Sequence, residues 1–362
     1  MLDTMMHMPR SPFRRQLLTR ALLSVAGYSA PAAALPAKTL VFPRDRGAHP
    51  DFKTEWWYVT GQTLAGQRLF GFQLTFFRSR VDSTQGMASK FAAKQLFFAH
   101  AAITDVVGKK LWHDQRIARG GFGVAQASQA DMDIKLSDWT LQAQGNRYQA
   151  HLPAADFGLK LALTETQNVL LQGQQGLSRK GPDAQQASYY YSHPQLATSG
   201  SLRIKDKTFD IQGIAWLDHE WSQELLSPGA IGWDWIGMNL TNGSALTAFR
   251  LRDTQGQAVW DGGSFRPANG QPTIFSRGDV HFTPTRLWTS PLTQNRYPVE
   301  WTVRTPLETY TVKAVIDSQE LDSRQSTGAI YWEGLSDLIA SNGALVGRGY
   351  LEMTGYGAAL RM

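Results

Sequence analysis

Four consecutive residues, Asp218, His219, Glu220 and Trp221, place two carboxyls, an imidazole and an indole in one short stretch. A carboxylic acid or an imidazolium in a dry cavity can protonate a carbon–carbon double bond or a leaving group, because burial raises a carboxyl pKa toward the working range. A Trp face attracts a developing carbocation. Two more candidates stand apart: Glu55, followed by Trp56, Trp57 and Tyr58, and His100 inside an apolar run. Each has a purely structural alternative. The 218–221 run also reads as a strand end with an ion-paired rim, Glu55 as a buried ion pair, and His100 as a core histidine.

Other chemistries lack their residues. The chain has no cysteine, which excludes thiol nucleophiles, thiolate metal sites and disulfides. It has no GxSxG elbow. His219-Glu220 continues into Trp221-Ser222-Gln223 and never reaches the second His of HExxH. Gly120-Gly121-Phe122-Gly123 is no dinucleotide fingerprint, and the 8 His are scattered without ligand spacing. The expectation is acid–base chemistry with no metal and no cofactor. His219→Ala should then cost activity more than stability.

Those side chains need elements to position them. Residues 209–221 alternate like a strand. Phe209, Ile211, Gly213, Ala215, Leu217, His219 and Trp221 share the more apolar face, and Asp218 and Glu220 lie on the other. The 12 Trp, 11 Tyr and 17 Phe favour strands or a large apolar pocket. Short alternating runs separated by Gly, Asn, Asp and Pro continue from residue 54, as at 54–63, 68–77, 95–105 and 147–152. Residues 172–188 read as a mobile loop, and 334–340 as the one short helix of the mature chain.

Ser227-Pro228-Gly229 punctuates the chain, and strands resume at 232–240 and 244–252. The halves echo each other: Trp56-Trp57 opens one and Trp233-Asp234-Trp235 the other. The fold class is all-β, two antiparallel barrels of roughly eight strands each, wide enough for one small apolar ligand. The domains are expected at 39–224 and 225–362.

Residues 1–38 read as an export signal. Arg10, Arg14, Arg15 and Arg20 precede or enter an apolar run at 21–35 that ends among small residues, and Arg14-Arg15-Gln16-Leu17-Leu18 resembles a twin-arginine signal. Cleavage is expected between Ala30 and Ala37, giving a periplasmic or secreted protein. The leader carries 5 Lys/Arg and 1 Asp of the chain's 36 and 30, so the net +6 falls to about +2 without it. No basic cluster remains for phosphates, which argues against nucleic acid. Nothing later approaches the roughly 20 apolar residues of a membrane span.

His49-Pro50-Asp51 followed by Glu55-Trp56-Trp57-Tyr58-Val59-Thr60-Gly61 resembles the opening motif of the AttH/carotenoid 1,2-hydratase (hydroxyneurosporene synthase) family. Phe98-Ala99-His100, Ser188-Tyr189-Tyr190-Tyr191-Ser192, Trp216-Leu217-Asp218-His219-Glu220-Trp221-Ser222, Tyr331-Trp332-Glu333-Gly334 and residues 349–356 are similar to its later motifs. The resemblance implies two lipocalin-like barrels packed together, in a family with many members labelled secreted hydrolases. Its hydratases add water to a terminal double bond without a redox cofactor, and His219-Glu220-Trp221 is similar to their His-x-Trp pair. Their Tyr-x-Asp pair has no match at the same spacing; Trp233-Asp234 is nearby.

Taken together, His219, Glu220, Asp218 and Glu55 are the catalytic candidates. Trp221, Trp57, Tyr58, His100, Tyr190, Trp233 and Trp235 are the candidates for holding an apolar isoprenoid or lipid-like substrate. Two functions are open, an exported hydratase or hydrolase and a lipocalin-like carrier without chemistry.

Overall fold

Period-two alternation builds nearly all of the chain. The computed structural model describes residues 34–360, so the Arg-rich start and most of the apolar run of the leader lie outside the described residues. The first series of strands is β1 (Thr54–Ala65), β2 (Arg68–Arg80), β3 (Gln95–Asp105), β4 (Lys110–Arg119), β5 (Ala125–Ala127), β6 (Asp133–Leu136) and β7 (Trp139–Gln144). It continues with β8 (Arg147–Pro153), β9 (Phe157–Thr164), β10 (Leu170–Leu171), β11 (Leu177–Arg179), β12 (Ala187–Ile204) and β13 (Lys207–Ser222). The second series is β14 (Gly232–Leu240), β15 (Ala245–Arg252), β16 (Ala258–Arg266), β17 (Thr273–Phe275) and β18 (His281–Thr289). β19 (Arg296–Arg304), β20 (Thr309–Ala314), β21 (Glu320–Ser323), β22 (Ala329–Ile339) and β23 (Leu345–Met353) complete it.

Two antiparallel sheets result, and none of their ladders crosses residues 225–231. One has 13 strands with the central order β3-β2-β1-β13-β12-β9; the other has 10, with β16-β15-β14-β23-β22-β20. Each curls back on itself as a lipocalin-like barrel. Arg116 on edge strand β4 lies 4.6 Å over the ring of Trp139 on β7, and Arg250 on β15 donates to the carbonyl of Phe282 on edge strand β18 at 3.3 Å. Among the described residues no helix is long and apolar enough to cross a membrane.

Three large apolar clusters and a small fourth around Ala102, Leu321 and Tyr331 account for the packing. The inward faces of β1, β2 and β13 supply Trp57, Val59, Phe72, Leu74, Leu217 and Trp221 to the first barrel's core. Ile236, Trp301, Trp332 and Leu351 belong to the second core. The third cluster, with Tyr58, Trp216, Trp235, Phe249, Leu335 and Tyr350, lies where the sheets face each other. Contact there is close: a Cβ on Gly71 would sit 2.7 Å from the Tyr350 hydroxyl.

Several elements differ from the reading of the sequence. Residues 334–340 are not helical, because β22 runs on to Ile339 with Leu335 and Leu338 in two different cores. The polar 172–188 segment packs against the sheets over most of its length, with only residues 174–175 and 182–185 exposed. Gln172 is buried and links the barrels, donating to Ser192 at 2.9 Å and accepting from Ser264 at 2.8 Å. The sheets hold 13 and 10 strands, not eight each, since short strands such as β5 and β11 are too brief to show alternation. Residues 35–38, counted above with the leader, contact the barrel. Leu35 packs on the first core, the Pro36 carbonyl accepts from Tyr189 at 2.6 Å, and Lys38 pairs with Asp45 at 2.8 Å.

Candidate active site

Alternation along β1 and β13 sorts the candidates onto two faces. The strands are antiparallel neighbours, with Glu55 opposite Trp221, Trp57 opposite His219, Trp56 opposite Glu220 and Tyr58 opposite Asp218. Glu55, Trp57, His219 and Trp221 point into the first barrel. Trp56, Tyr58, Asp218 and Glu220 point out of it, toward the second sheet.

Inside the barrel, Glu55 is the hub. Its Oε1 accepts from His49 Nδ1 at 2.7 Å and from His219 Nε2 at 3.0 Å, and its Oε2 from Arg78 Nε at 2.7 Å. The backbone N–H of His49 adds contacts to both oxygens. His219 Nδ1 then accepts from the Tyr191 hydroxyl at 3.2 Å. Trp57 stacks on His219 at 4.7 Å, and Trp221 stacks on His49 at 3.8 Å. Burial alone would raise Glu55, but the hydrogen bonds from His219 and His49 and the charge of Arg78 hold it well below the usual carboxylate range. Burial pushes His219 down to about 4 despite Glu55, so its imidazole is neutral at pH 7.

Ligand atoms of His49, Glu55 and His219 converge to within 4.8 Å of one another. They do not fit a catalytic metal. Both Glu55 oxygens already accept hydrogen bonds, and the Arg78 guanidinium beside them opposes a second cation. The cluster is a buried lock that ties β1, β2, β13 and the 45–49 segment together.

The other face borders a cavity between the barrels that opens to solvent. Trp56, Tyr58 and Phe77 form one aromatic wall; Trp233, Trp235 and Phe249 form the wall opposite. Asp218, Glu220, Glu333 and Glu352 all face this space, and Lys180 reaches in from the segment after β11. Asp218 accepts from the Tyr190 hydroxyl at 2.7 Å, Ser192 at 2.5 Å and Trp216 Nε1 at 2.6 Å. Burial nevertheless raises it to about 7. Glu220 is ion-paired with Lys180 at 2.9 Å and accepts from Ser188.

On the second barrel, Glu333 and Glu352 are direct cross-strand partners. Burial and their mutual repulsion raise Glu333 well above the carboxylate range. Glu352 is pushed up to about 8, by burial and by the charges of Asp218 and Glu220. Two fully buried polar atoms here, Glu333 Oε1 and the Tyr58 hydroxyl, are neighbours, and Tyr58 partly offsets the rise of Glu333.

Register makes the two walls counterparts. Trp56 on β1 is opposite Phe77 and Glu220, and Glu220 is opposite Tyr190. In the second sheet Trp235 on β14 is opposite Phe249 and Glu352, and Glu352 is opposite Glu333. The echo between the halves is therefore structural, and it puts Glu352 where Glu220 stands and Glu333 where Tyr190 stands.

The AttH-like family profile matches residues 33–356. The chain belongs to the AttH-like family. An AttH protein from Nitrosomonas europaea is 45% identical to it, with a TM-score of 0.84 over 90% of this chain and 99% of that one. Kievitone hydratase from Nectria haematococca matches at 13% identity and a TM-score of 0.69, over 90% of this chain and 98% of its own, a likeness of fold alone. None of the curated proteins matches.

The cavity thus gathers Asp218, Glu220, Tyr58, Tyr190, Trp233 and Trp235 of the residues singled out from this AttH-like sequence. His219, Glu55, Trp221 and Trp57 lie behind β13 and β1, in the lock. His100 stands behind the wall, its Nδ1 2.5 Å from the hydroxyl of Tyr331, which lines the cavity. Sequence reasoning missed Glu333, Glu352 and Lys180 as site residues. An acid between Leu351 and Met353 in an alternating strand was a readable signal for Glu352. Nothing marked Lys180, which sits in a polar segment.

These shifts predict how stability depends on pH. Carboxyls raised in the folded state stabilise it below their unfolded pKa, and that stability is lost as pH rises through the folded values, here about 7 for Asp218 and about 8 for Glu352, with Glu333 also raised. Buried His100, His193 and His219, all lowered, act oppositely but only below about pH 6.5. Urea unfolding should therefore show stability falling by roughly 1–3 kcal/mol between pH 6.5 and 8.5. A flat or rising profile would contradict the assignment.

Proposed function

We propose that this chain is a cofactor-independent enzyme that hydrates a carbon–carbon double bond of an apolar, isoprenoid or lipid-like substrate between the barrels. The carrying observation is that carboxyls on opposite walls of one aromatic cavity are poised differently: the Glu333–Glu352 pair retains a proton at neutral pH, and Asp218 is near its midpoint. A proton from that pair adds to one alkene carbon. The cationic carbon that results lies among Trp and Phe faces and carboxylates. Water attacks it and gives its proton to Asp218, whose hydrogen bond to Tyr190 fixes its orientation. Exchange with solvent at the cavity mouth restores both groups. The family resemblance supports the reaction type; hydrolysis would use the same acid on a leaving group.

The test is incubation of candidate isoprenoid alkenes with the protein in ¹⁸O-water, with mass spectrometry reading the gain of one labelled water. Binding across the panel without mass gain would favour a carrier, which needs the cavity but not the carboxyls. For the enzyme, kcat/KM should rise through about pH 7 as Asp218 ionises and fall through about pH 8 as Glu352 does. A profile flat from pH 6 to 9 would remove both groups from the reaction.

We also propose export to the periplasm or beyond, on the leader's composition. The contacts of Leu35, Pro36 and Lys38 argue for cleavage upstream of Leu35, within the small-residue run starting at Ala30. N-terminal sequencing of the protein from the periplasmic fraction should find residues 35–38 retained. An intact Met1 on cytoplasmic protein would defeat the proposal.

A further inference from the structure

Lys180 shows how this cavity holds a cation. Its ammonium lies 2.9 Å from Glu220, 4.3 Å from the ring centroid of Phe249 and 4.8 Å from that of Tyr190. Carboxylate and aromatic faces together offset the loss of hydration that an ammonium suffers on burial. By register, Glu352 is the counterpart of Glu220, opposite Trp235 as Glu220 is opposite Trp56. Its cross-strand neighbour is a second acid, Glu333. Among the described residues no Lys, Arg or His is paired with either acid. Instead Glu333 Oε1, fully buried, lines the cavity beside the Tyr58 hydroxyl, a neutral neighbour that only partly offsets its burial.

We infer that the cavity binds a hydrophobic organic ammonium ion, with its N–H groups on Glu333 and Glu352 and its apolar body against the aromatic walls. The inference rests on the cavity being the functional site, and adds the charge of what it prefers. A cavity built this way favours positive charge whether on a bound amine or on the cationic carbon of alkene hydration. A neutral alcohol leaves the carboxyl pair protonated, and a carboxylate meets five acids against the single Lys180.

Binding is also linked to protons. The titratable groups around the pair are Tyr58, Asp218, Glu220, Tyr331, Tyr350 and Lys180. Lys180 is engaged by Glu220 and the tyrosines are raised, so the proton an ammonium displaces comes from the acids, the Glu333–Glu352 pair it contacts or Asp218 across the cavity.

Decylammonium, decan-1-ol and decanoate share a chain and differ in charge, which makes them the probes. Titration at pH 7, followed by intrinsic Trp fluorescence and calorimetry, should rank decylammonium about tenfold or more tighter than the alcohol, with decanoate weakest. Calorimetry in buffers of different ionisation enthalpy should register proton release on binding decylammonium and none with the alcohol. Glu333→Gln keeps the side-chain shape and removes the charge. It should cut the advantage of the ammonium over the alcohol to less than about threefold, through loss of ammonium affinity. Equal affinities for ammonium and alcohol, or a preference surviving in Glu333→Gln, would overturn the inference and leave alkene hydration standing if labelled water is still incorporated. Failure of all three probes to bind would overturn the inference and the cavity reading together.

Discussion

Glu352→Gln should lower kcat/KM for hydration by about 10²–10⁴-fold, the range for loss of a general acid. Gln cannot supply a proton but fills the same volume, so the aromatic walls keep their shape. The same substitution removes one of two carboxyls placed directly across a ladder, where like charges are destabilising. Stability at pH 8.5 should accordingly rise in the variant, and the decline between pH 6.5 and 8.5 should become shallower. Loss of turnover with gain of stability is the signature of a group kept for chemistry and not for the fold. Equal turnover in wild type and variant, measured with the same labelled-water assay, would take the acid role away from Glu352.

Much of this site was readable from the sequence. Alternation through 209–221 correctly separated His219 and Trp221 from Asp218 and Glu220, because the register of a strand with a buried face leaves no freedom to slip. What alternation does not contain is the far side. Asp218 and Glu220 read as outward, and only the docking of β14, β22 and β23 turns that outward face into a cavity wall. The pairing of Glu333 with Glu352 likewise depends on a hairpin-like ladder between β22 and β23, and the misreading of 334–340 as helix concealed it. Lys180 was hidden for another reason. Its segment is polar because its side chains bond to both barrels, and such partners are remote in sequence.

The role of His219 is where structure leads to an expectation opposite to that from sequence. His219 is fully buried, hydrogen-bonded through both ring nitrogens to Glu55 and Tyr191, and stacked on Trp57. His219→Ala would remove these contacts and leave a void in a packed core, at a cost of about 3–5 kcal/mol. Glu55→Gln should cost a similar amount, on the order of 3–5 kcal/mol, because Arg78 would be left as a buried charge without its counter-ion. Against a typical total of about 5–15 kcal/mol, either loss is visible as a large fall in the urea midpoint. Turnover per folded molecule should stay within a few-fold, since neither side chain borders the cavity. The double variant His219→Ala/Glu55→Gln should cost less than the sum of the two, as expected for residues of one hydrogen-bonded network. A His219→Ala protein that melts within a few degrees of wild type but turns over a hundredfold more slowly would return the acid role to the imidazole, and the lock would have to be abandoned.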